Sequence, residues 1–231
     1  MAEVASMKDV PTRLFCALSG LSGIAGVAML IVSFAINYGP PLGSSDEVFA
    51  KFVRDSYASI LWGAWLQAVG PVFIVLFAFA LVHIAGQRSR LAGWMTFFGA
   101  AVLMMVSLIE ITFYISALYP RPQTMTPISL ELIYSVQHLY FIVAAPALFI
   151  PLGVVLFRAR ILPRVFALLA ILIGAGFAIV GMTSLLTLTL PASITALGSV
   201  QAIWWFAAGV TLIVRSKQVA QAHEGGNALA G

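Results

Sequence analysis

The hydrophobic positions of the chain fall into six long runs that short polar segments separate. Each run reaches the roughly 20 residues that an α-helix needs to cross a hydrocarbon core of about 30 Å. The runs lie at 14–36, 58–84, 92–119, 131–157, 165–190 and 195–214. Only Pro191, Ala192 and Ser193 interrupt the last two runs, so that break is the weakest. The pattern predicts an all-α, polytopic transmembrane helical bundle with six spans.

The composition supports this prediction and argues against other classes of protein. Hydrophobic residues make up 61% of the 231 positions and charged residues 9%, whereas a soluble domain carries about 25% charged residues. We expect residues 1–217 to form the transmembrane domain and the small, polar segment 218–231 to form a disordered cytoplasmic tail. The net charge of +4 comes from basic residues at helix ends, where membrane insertion favours them. The expected partner is therefore the lipid bilayer and not nucleic acid.

The basic residues of the connections alternate between the two sides of the membrane. Nine of the twelve lie on the side of the two termini and three lie on the other side. The nine are Lys8, Arg13, Arg88, Arg90, Arg158, Arg160, Arg164, Arg215 and Lys217, and the three are Lys51, Arg54 and Arg121. Because short loops rich in lysine and arginine stay in the cytoplasm, this bias predicts that both termini are cytoplasmic. The first run exceeds the about 7–15 apolar residues of a signal peptide, so we expect it to be a span.

Two features recur in the three successive pairs of runs. An arginine precedes the first run of each pair, and a small or acidic polar residue follows it by twenty positions, which gives Arg13 with Ser33, Arg90 with Glu110 and Arg164 with Ser184. The second run of each pair carries a glutamine, namely Gln67, Gln137 and Gln201. This spacing favours three repeated helical hairpins. The alternative is that the arginines follow from the positive-inside rule and that the glutamines match by chance.

Glu110 is an acidic residue that the pattern places well inside the third span. An ionisable group at such a depth costs about 2.5–3.5 kcal/mol on insertion scales and usually faces the interior of the bundle. His138 is the candidate partner, since the third and fourth spans are predicted antiparallel neighbours and the two residues lie roughly 13 and 10 Å below the outer helix ends. Such a pair either fixes the helix register or binds a ligand and handles protons.

Tyrosines and glutamines extend this predicted cluster. Tyr114 follows Glu110 by four residues and Tyr134 precedes His138 by four, so each ring shares a helix face with its ionisable neighbour. Aromatic walls around a few polar groups are typical of small-molecule sites. We therefore predict a pocket in the outer half of the bundle that opens outward. Its predicted residues are Glu110, His138, Gln67, Gln137, Gln201, Tyr114 and Tyr134.

The sequence lacks the motifs of nucleotide-binding and nucleophilic enzymes. Cys16 has no metal-type spacing around it, and one histidine with one glutamate is too few ligands for zinc, so we predict neither metal nor cofactor. The leading hypothesis is a non-enzymatic membrane protein, a transporter, that binds or moves a small, apolar or weakly polar molecule through the outward-facing pocket. Two alternatives stay open. One is a membrane-embedded enzyme that uses Glu110 or His138 on a lipid-like substrate, and the other is a structural or assembly protein.

Three short segments carry a family resemblance. They are Leu61–Gln67 after a polar outer loop, Leu91–Trp94 at the start of the third span and Ala145–Pro146 in the fourth. Their layout resembles that of uncharacterised six-helix bacterial membrane proteins, of the kind described as domains of unknown function. The resemblance implies a bacterial inner membrane. It brings no established site residues with it.

Overall fold

The computed structural model describes residues 12–37, 44–119, 125–187 and 192–228. Six helical segments of this part are long and apolar enough to cross a membrane, which confirms the predicted all-α bundle of six spans. The helices are α1 (Arg13–Ile36), α2 (Asp46–Asp55), α3 (Tyr57–Ile84), α4 (Leu91–Leu118), α5 (Met125–Leu139), α6 (Ala145–Ala159), α7 (Arg164–Thr187) and α8 (Ala192–Ala228). A π-helical turn, Tyr140–Ala144, joins α5 to α6, and the three together contain the fourth span.

The spans follow one another around a closed ring in the order of the chain. Helix α1 packs against α3, α3 against α4, α4 against α5 and α6, α6 against α7, and α7 against α8. The ring closes because α8 also packs against α1. Each predicted hairpin therefore consists of two contacting helices, while the common ancestry of the three hairpins stays a prediction.

The two ends of the bundle differ in the residues that they carry. Helices α1 and α7 begin with Arg13 and Arg164, and Arg90 precedes α4, so we call this end the basic side. The opposite end carries α2, and we call it the α2 side. Helix α4 runs from the basic side to the α2 side and α5 runs back, as the short connection between them predicts.

Aromatic side chains fill the interior of the helix bundle in the half nearer the basic side. Phe77, Phe149, Trp204 and Trp205 are all buried. The ring of Trp205 lies 5.8 Å from that of Phe77, 5.1 Å from that of Phe149 and 4.8 Å from that of Trp204. The indole Nε1 of Trp204 donates to the carbonyl oxygen of Phe166 at 2.9 Å. This half of the interior is therefore closely packed, with the buried indole donor of Trp204 satisfied.

Glycines let α1 approach its two neighbours closely. A Cβ atom at Gly20 would lie 2.6 Å from the carbonyl oxygen of Gly209 on α8. A Cβ atom at Gly26 would lie 2.8 Å from the carbonyl oxygen of Gly70 on α3. Both distances are too short for a side chain, so the ring closes through small-residue contacts of the kind that membrane helices use.

The π-helical turn ends two residues before a proline. The amide of Ala145 donates to the carbonyl oxygen of Tyr140, five residues back. The next residue, Pro146, has no N–H to donate and its ring would clash with the preceding turn of a regular helix. The wider turn accommodates that ring, and it changes the rotational phase of the span between its polar α5 part and its apolar α6 part.

Two features of the fold differ from the predicted spans. Helix α2 was not predicted, although its signals are present: Ser45 precedes Asp46 and Glu47 at the start, which favours a helix N-terminus. Helix α8 continues past the predicted tail boundary at 217/218 and ends at Ala228. Lysine, glutamine and alanine favour helix there, and Val219 is buried against the core.

Candidate functional site

The carboxyl group of Glu110 lies inside the bundle, held by two glutamines from adjacent spans. Glu110 is buried on α4, eight residues before Leu118 and thus about 12 Å below the α2-side end of the helix. The Nε2 of Gln137, on α5, donates to Glu110 Oε1 at 3.1 Å. The side chain of Gln67, on α3, forms a second hydrogen bond to the same carboxyl. Amide N–H groups suit this role because a carboxylate can only accept.

A further hydrogen bond fixes the two helices that flank this carboxyl. The hydroxyl of Ser107, one turn before Glu110 on α4, donates to the backbone oxygen of Gln67 at 3.0 Å. The bond holds α3 and α4 at one rotation relative to each other. Among the described residues, Glu110 has no lysine, arginine or histidine partner, so only neutral groups bind its carboxyl.

His138 faces a different helix. Its Nδ1 lies 2.8 Å from the backbone oxygen of Tyr134, and its Nε2 lies 3.2 Å from the hydroxyl of Ser184 on α7. Because a carbonyl can only accept, Nδ1 carries a proton, and in the neutral ring Nε2 accepts from Ser184. No hydrogen bond joins His138 to Glu110 in the described part of the chain.

The partner predicted for Glu110 was therefore one residue away from the observed one. Consecutive residues of a helix point about 100° apart. Gln137 faces α4 and His138 faces α7, so only the former reaches the carboxyl. The sequence placed both residues at the right depth, but the rotation of α5 decides which of them meets Glu110.

Tyr140, which was not predicted, connects the third glutamine to this region. Its hydroxyl donates to Oε1 of Gln201, on α8, at 2.6 Å. The hydroxyl group of Tyr140 is also close enough to the carboxyl of Glu110 for the two to interact electrostatically. Its position three residues after Gln137 is the signal that could have identified it, since residues three apart share a helix face.

Aromatic residues and α2 cover the polar region on the α2 side. Tyr114 is buried and lies within electrostatic range of both Glu110 and Tyr134. Phe49, at the centre of α2, is 1% exposed and packs into one cluster with Tyr114 and Ile60. The single buried residue of α2 thus closes the bundle above the carboxyl.

Asn37 is a second residue that was not predicted. It ends α1 and is 8% exposed, and neither atom of its amide has a hydrogen-bond partner among the described residues. The amide lies against Gly63 of α3, whose backbone oxygen already accepts from Ser33 Oγ at 2.8 Å. The Oε1 of Gln67, at 2% exposure, likewise has no partner in the described part. The spacing of four residues from Ser33 is the signal that places Asn37 on an interior face.

The structure gathers the predicted site residues in the half of the bundle nearer the α2 side. They form a carboxyl group with two amides, a tyrosine–glutamine pair and a histidine–serine pair, with Tyr114 and Tyr134 beside them. Within the described part, no three acidic, histidine or cysteine residues come together as metal ligands would. Comparison of the chain with protein families, curated proteins and solved structures finds no match.

Proposed function

We propose that this integral membrane protein binds or carries a small molecule within its bundle, at the polar residues around Glu110. The observation that carries the proposal is a buried carboxyl group whose hydrogen bonds, within the described residues, come from neutral amides alone. A charged group at this depth is costly and marks ligand or ion pathways in membrane proteins. A ligand that contacts the carboxyl would offset that cost.

The unpaired amide oxygen of Gln67 distinguishes this arrangement from a purely structural polar layer. A buried polar atom without a partner costs about 1–3 kcal/mol, and a layer that only fixes helix register gains nothing from it. Gln67 Oε1 is such an atom within the described residues. A ligand with a hydrogen-bond donor would satisfy it.

The proposal includes an orientation and a location. The basic residues concentrate on the side of the termini, and this bias supports cytoplasmic termini. The α2 side, where Phe49 closes the bundle above the carboxyl, would then face away from the cytoplasm. We propose the bacterial inner membrane as the location, on the resemblance of the chain to six-helix bacterial membrane proteins.

Native mass spectrometry of the purified protein tests the proposal. We expect a co-purifying small molecule in the wild type that is lost in Glu110→Gln. The matched control is Thr96→Val, because Thr96 is buried on the same helix but bonds only to the backbone of Ala92. A bound molecule retained by Glu110→Gln, or an empty protein that Glu110→Gln greatly destabilises, would contradict the proposal.

The hydrogen bond between Ser184 and His138 favours a second candidate function, an acyl-transfer or hydrolase activity on a lipid-like ester. A serine hydroxyl that donates to a histidine, whose other nitrogen is held by an acceptor, is the arrangement of an activated nucleophile. Ser184 Oγ would bond to the ester carbonyl carbon and pass its proton to His138 Nε2. That proton would leave on the alcohol product, and water would then release the acid.

A fluorophosphonate probe tests this second function. The enzyme hypothesis predicts covalent labelling of the wild type, loss of labelling in Ser184→Ala and strong reduction in His138→Ala. Ser199→Ala is the control, since Ser199 is an exposed serine that bonds only to the backbone of Thr195. Absence of labelling in the wild type, or labelling that survives in Ser184→Ala, would exclude Ser184 as a nucleophile.

A further inference from the structure

Three polar groups follow one another from the end of α1 into the bundle. Asn37 lies against Gly63, Gln67 comes one turn after Gly63 on α3, and the side chain of Gln67 bonds to Glu110. We call Asn37, Gln67 and Glu110 the polar strip. All three residues are more than nine-tenths buried. The strip therefore leads from the α2 side of α1 to the carboxyl group through side chains that are shielded from solvent.

The unused atoms of the strip are mostly acceptors. Gln67 Oε1 and Asn37 Oδ1 accept hydrogen bonds, and they have no donor among the described residues. The backbone oxygen of Gly63 is already satisfied by Ser33, so it does not supply the missing partner for the Asn37 amide. Burial of unpaired polar atoms is unfavourable. The strip thus has the capacity to bind a molecule that donates hydrogen bonds at more than one point.

The charge of the strip is negative or zero, never positive. The lysines and arginines of the described spans lie near the basic-side ends of those spans, and none bonds to Glu110. A carboxyl inside the membrane is therefore neutralised by a proton or by a cationic ligand. An anionic ligand would meet repulsion, and a neutral ligand would leave the proton in place.

We propose that the ligand is a small organic cation with N–H donors, which replaces the proton of Glu110 and donates to the oxygens of Gln67 and Asn37. This inference rests on the proposed binding function. The oxygens are spread along the strip, since Gly63 and Gln67 are about 6 Å apart along α3. A monatomic ion needs its oxygen ligands within about 2.6 Å of one centre, so an extended amine fits the spacing better.

The other titratable groups near the strip are not expected to exchange a proton for the ligand. The described ones on the helices that pack against α4, and on α4 itself, are Tyr114, Tyr134, His138, Tyr140, Tyr57, His83 and Arg158. Tyr57, His83 and Arg158 lie at helix ends. Tyrosines keep their protons at neutral pH in water, and His138 bonds to Ser184 on the α7 side. Exchange of a proton for the ligand therefore belongs to Glu110. The control for it is Thr96→Val, at a buried residue of the same helix whose hydroxyl bonds to the backbone of Ala92.

Calorimetric titration of the protein in nanodiscs tests the inference with a panel of primary and secondary amines of increasing size. Each amine is paired with the neutral alcohol of the same shape. We expect amines alone to bind and to release a proton, measured in two buffers of different ionisation enthalpy. Glu110→Gln abolishes that release and weakens binding by roughly a hundredfold, while Asn37→Ala weakens it by about tenfold, as loss of a hydrogen bond to a charged group does. Thr96→Val leaves both unchanged.

The outcomes separate this inference from the function on which it rests. If the alcohols bind as tightly as the amines, or if Asn37→Ala binds amines like the wild type, the inference fails while a Glu110-dependent ligand site stands. If sodium ions alone compete for the site and release the proton, the ligand is a metal cation and the inference also fails. If neither native mass spectrometry nor the panel finds a ligand, the proposed function fails with it.

Discussion

The two halves of the bundle interior differ in their side chains and in how completely their buried polar atoms are hydrogen-bonded. In the half nearer the basic side, Trp204 and Trp205 pack against Phe77 and Phe149, and the buried indole of Trp204 has its acceptor. In the half nearer the α2 side, the interior is polar and Gln67 and Asn37 retain buried atoms without described partners. The contrast predicts that the aromatic half supplies most of the stability, and under the proposed function the polar half gives up stability in exchange for ligand binding.

Truncation of the aromatic half should have the largest effect on stability. Trp205→Ala removes a side chain that is 1% exposed and contacts three other rings. We expect a loss of about 3–5 kcal/mol in the free energy of unfolding, because a large cavity remains. Thermal unfolding in detergent measures it. A loss much smaller than that of a variant in the polar half would contradict the larger contribution of the aromatic half to the free energy of unfolding.

A side chain at the closure of the ring should have the next largest effect. Gly20→Val places a Cβ within 2.6 Å of the Gly209 backbone oxygen, and backbone cannot move aside as easily as a flexible side chain. We expect a loss of about 1–3 kcal/mol, typical of overpacking. Gly198→Val is the matched control, since a Cβ there meets no atom within 4 Å. Equal stability of the two variants would show that α1 and α8 do not depend on this contact.

Neutralisation of the polar half should change stability little. Glu110→Gln keeps the size of the side chain and can keep one of its two amide contacts, and it removes a group that is costly in the membrane. We expect the free energy of unfolding to change by less than about 1 kcal/mol, because the lost hydrogen bond and the lost charge offset each other. Chemical denaturation measures it in the absence of added ligand. A loss comparable to that of Trp205→Ala would assign Glu110 a structural role.

Removal of the unpaired amide should have the smallest effect, and of opposite sign. Asn37→Ala deletes two buried atoms without described partners, so the unliganded protein should gain up to about 1 kcal/mol. Differential scanning calorimetry of the ligand-free variant measures the shift. Clear destabilisation would mean that the Asn37 amide has hydrogen-bond partners in the membrane. The two halves would then differ less in how completely their buried polar groups are hydrogen-bonded.

The spans and the depth of the candidate site could be predicted from the sequence, but the contacts within the site could not. Run length and loop charge are local properties, so the six spans and the layer that holds Glu110 and Gln67 could be predicted. The choice of Gln137 over His138 depends on the rotation of α5, and nothing local fixes that rotation next to a π-helical turn. Asn37 falls at the end of a run, where a polar residue is expected to meet water. Its spacing from Ser33 indicates an interior face, but the burial of its amide depends on the packing of α3 beside it.

The hydrogen bonds of Glu110 come from the spans directly before and after its own, and this bears on how the protein is made. A chain is synthesised from its N-terminus, so Gln67 enters the bilayer before the carboxyl and Gln137 one span after it. The carboxyl group of Glu110, which is costly to place in lipid, therefore has both amide partners on the spans inserted directly before and after its own. Helix α8, which closes the ring of helices against α1, is synthesised last. It completes the bundle after both amide partners of Glu110 are in place.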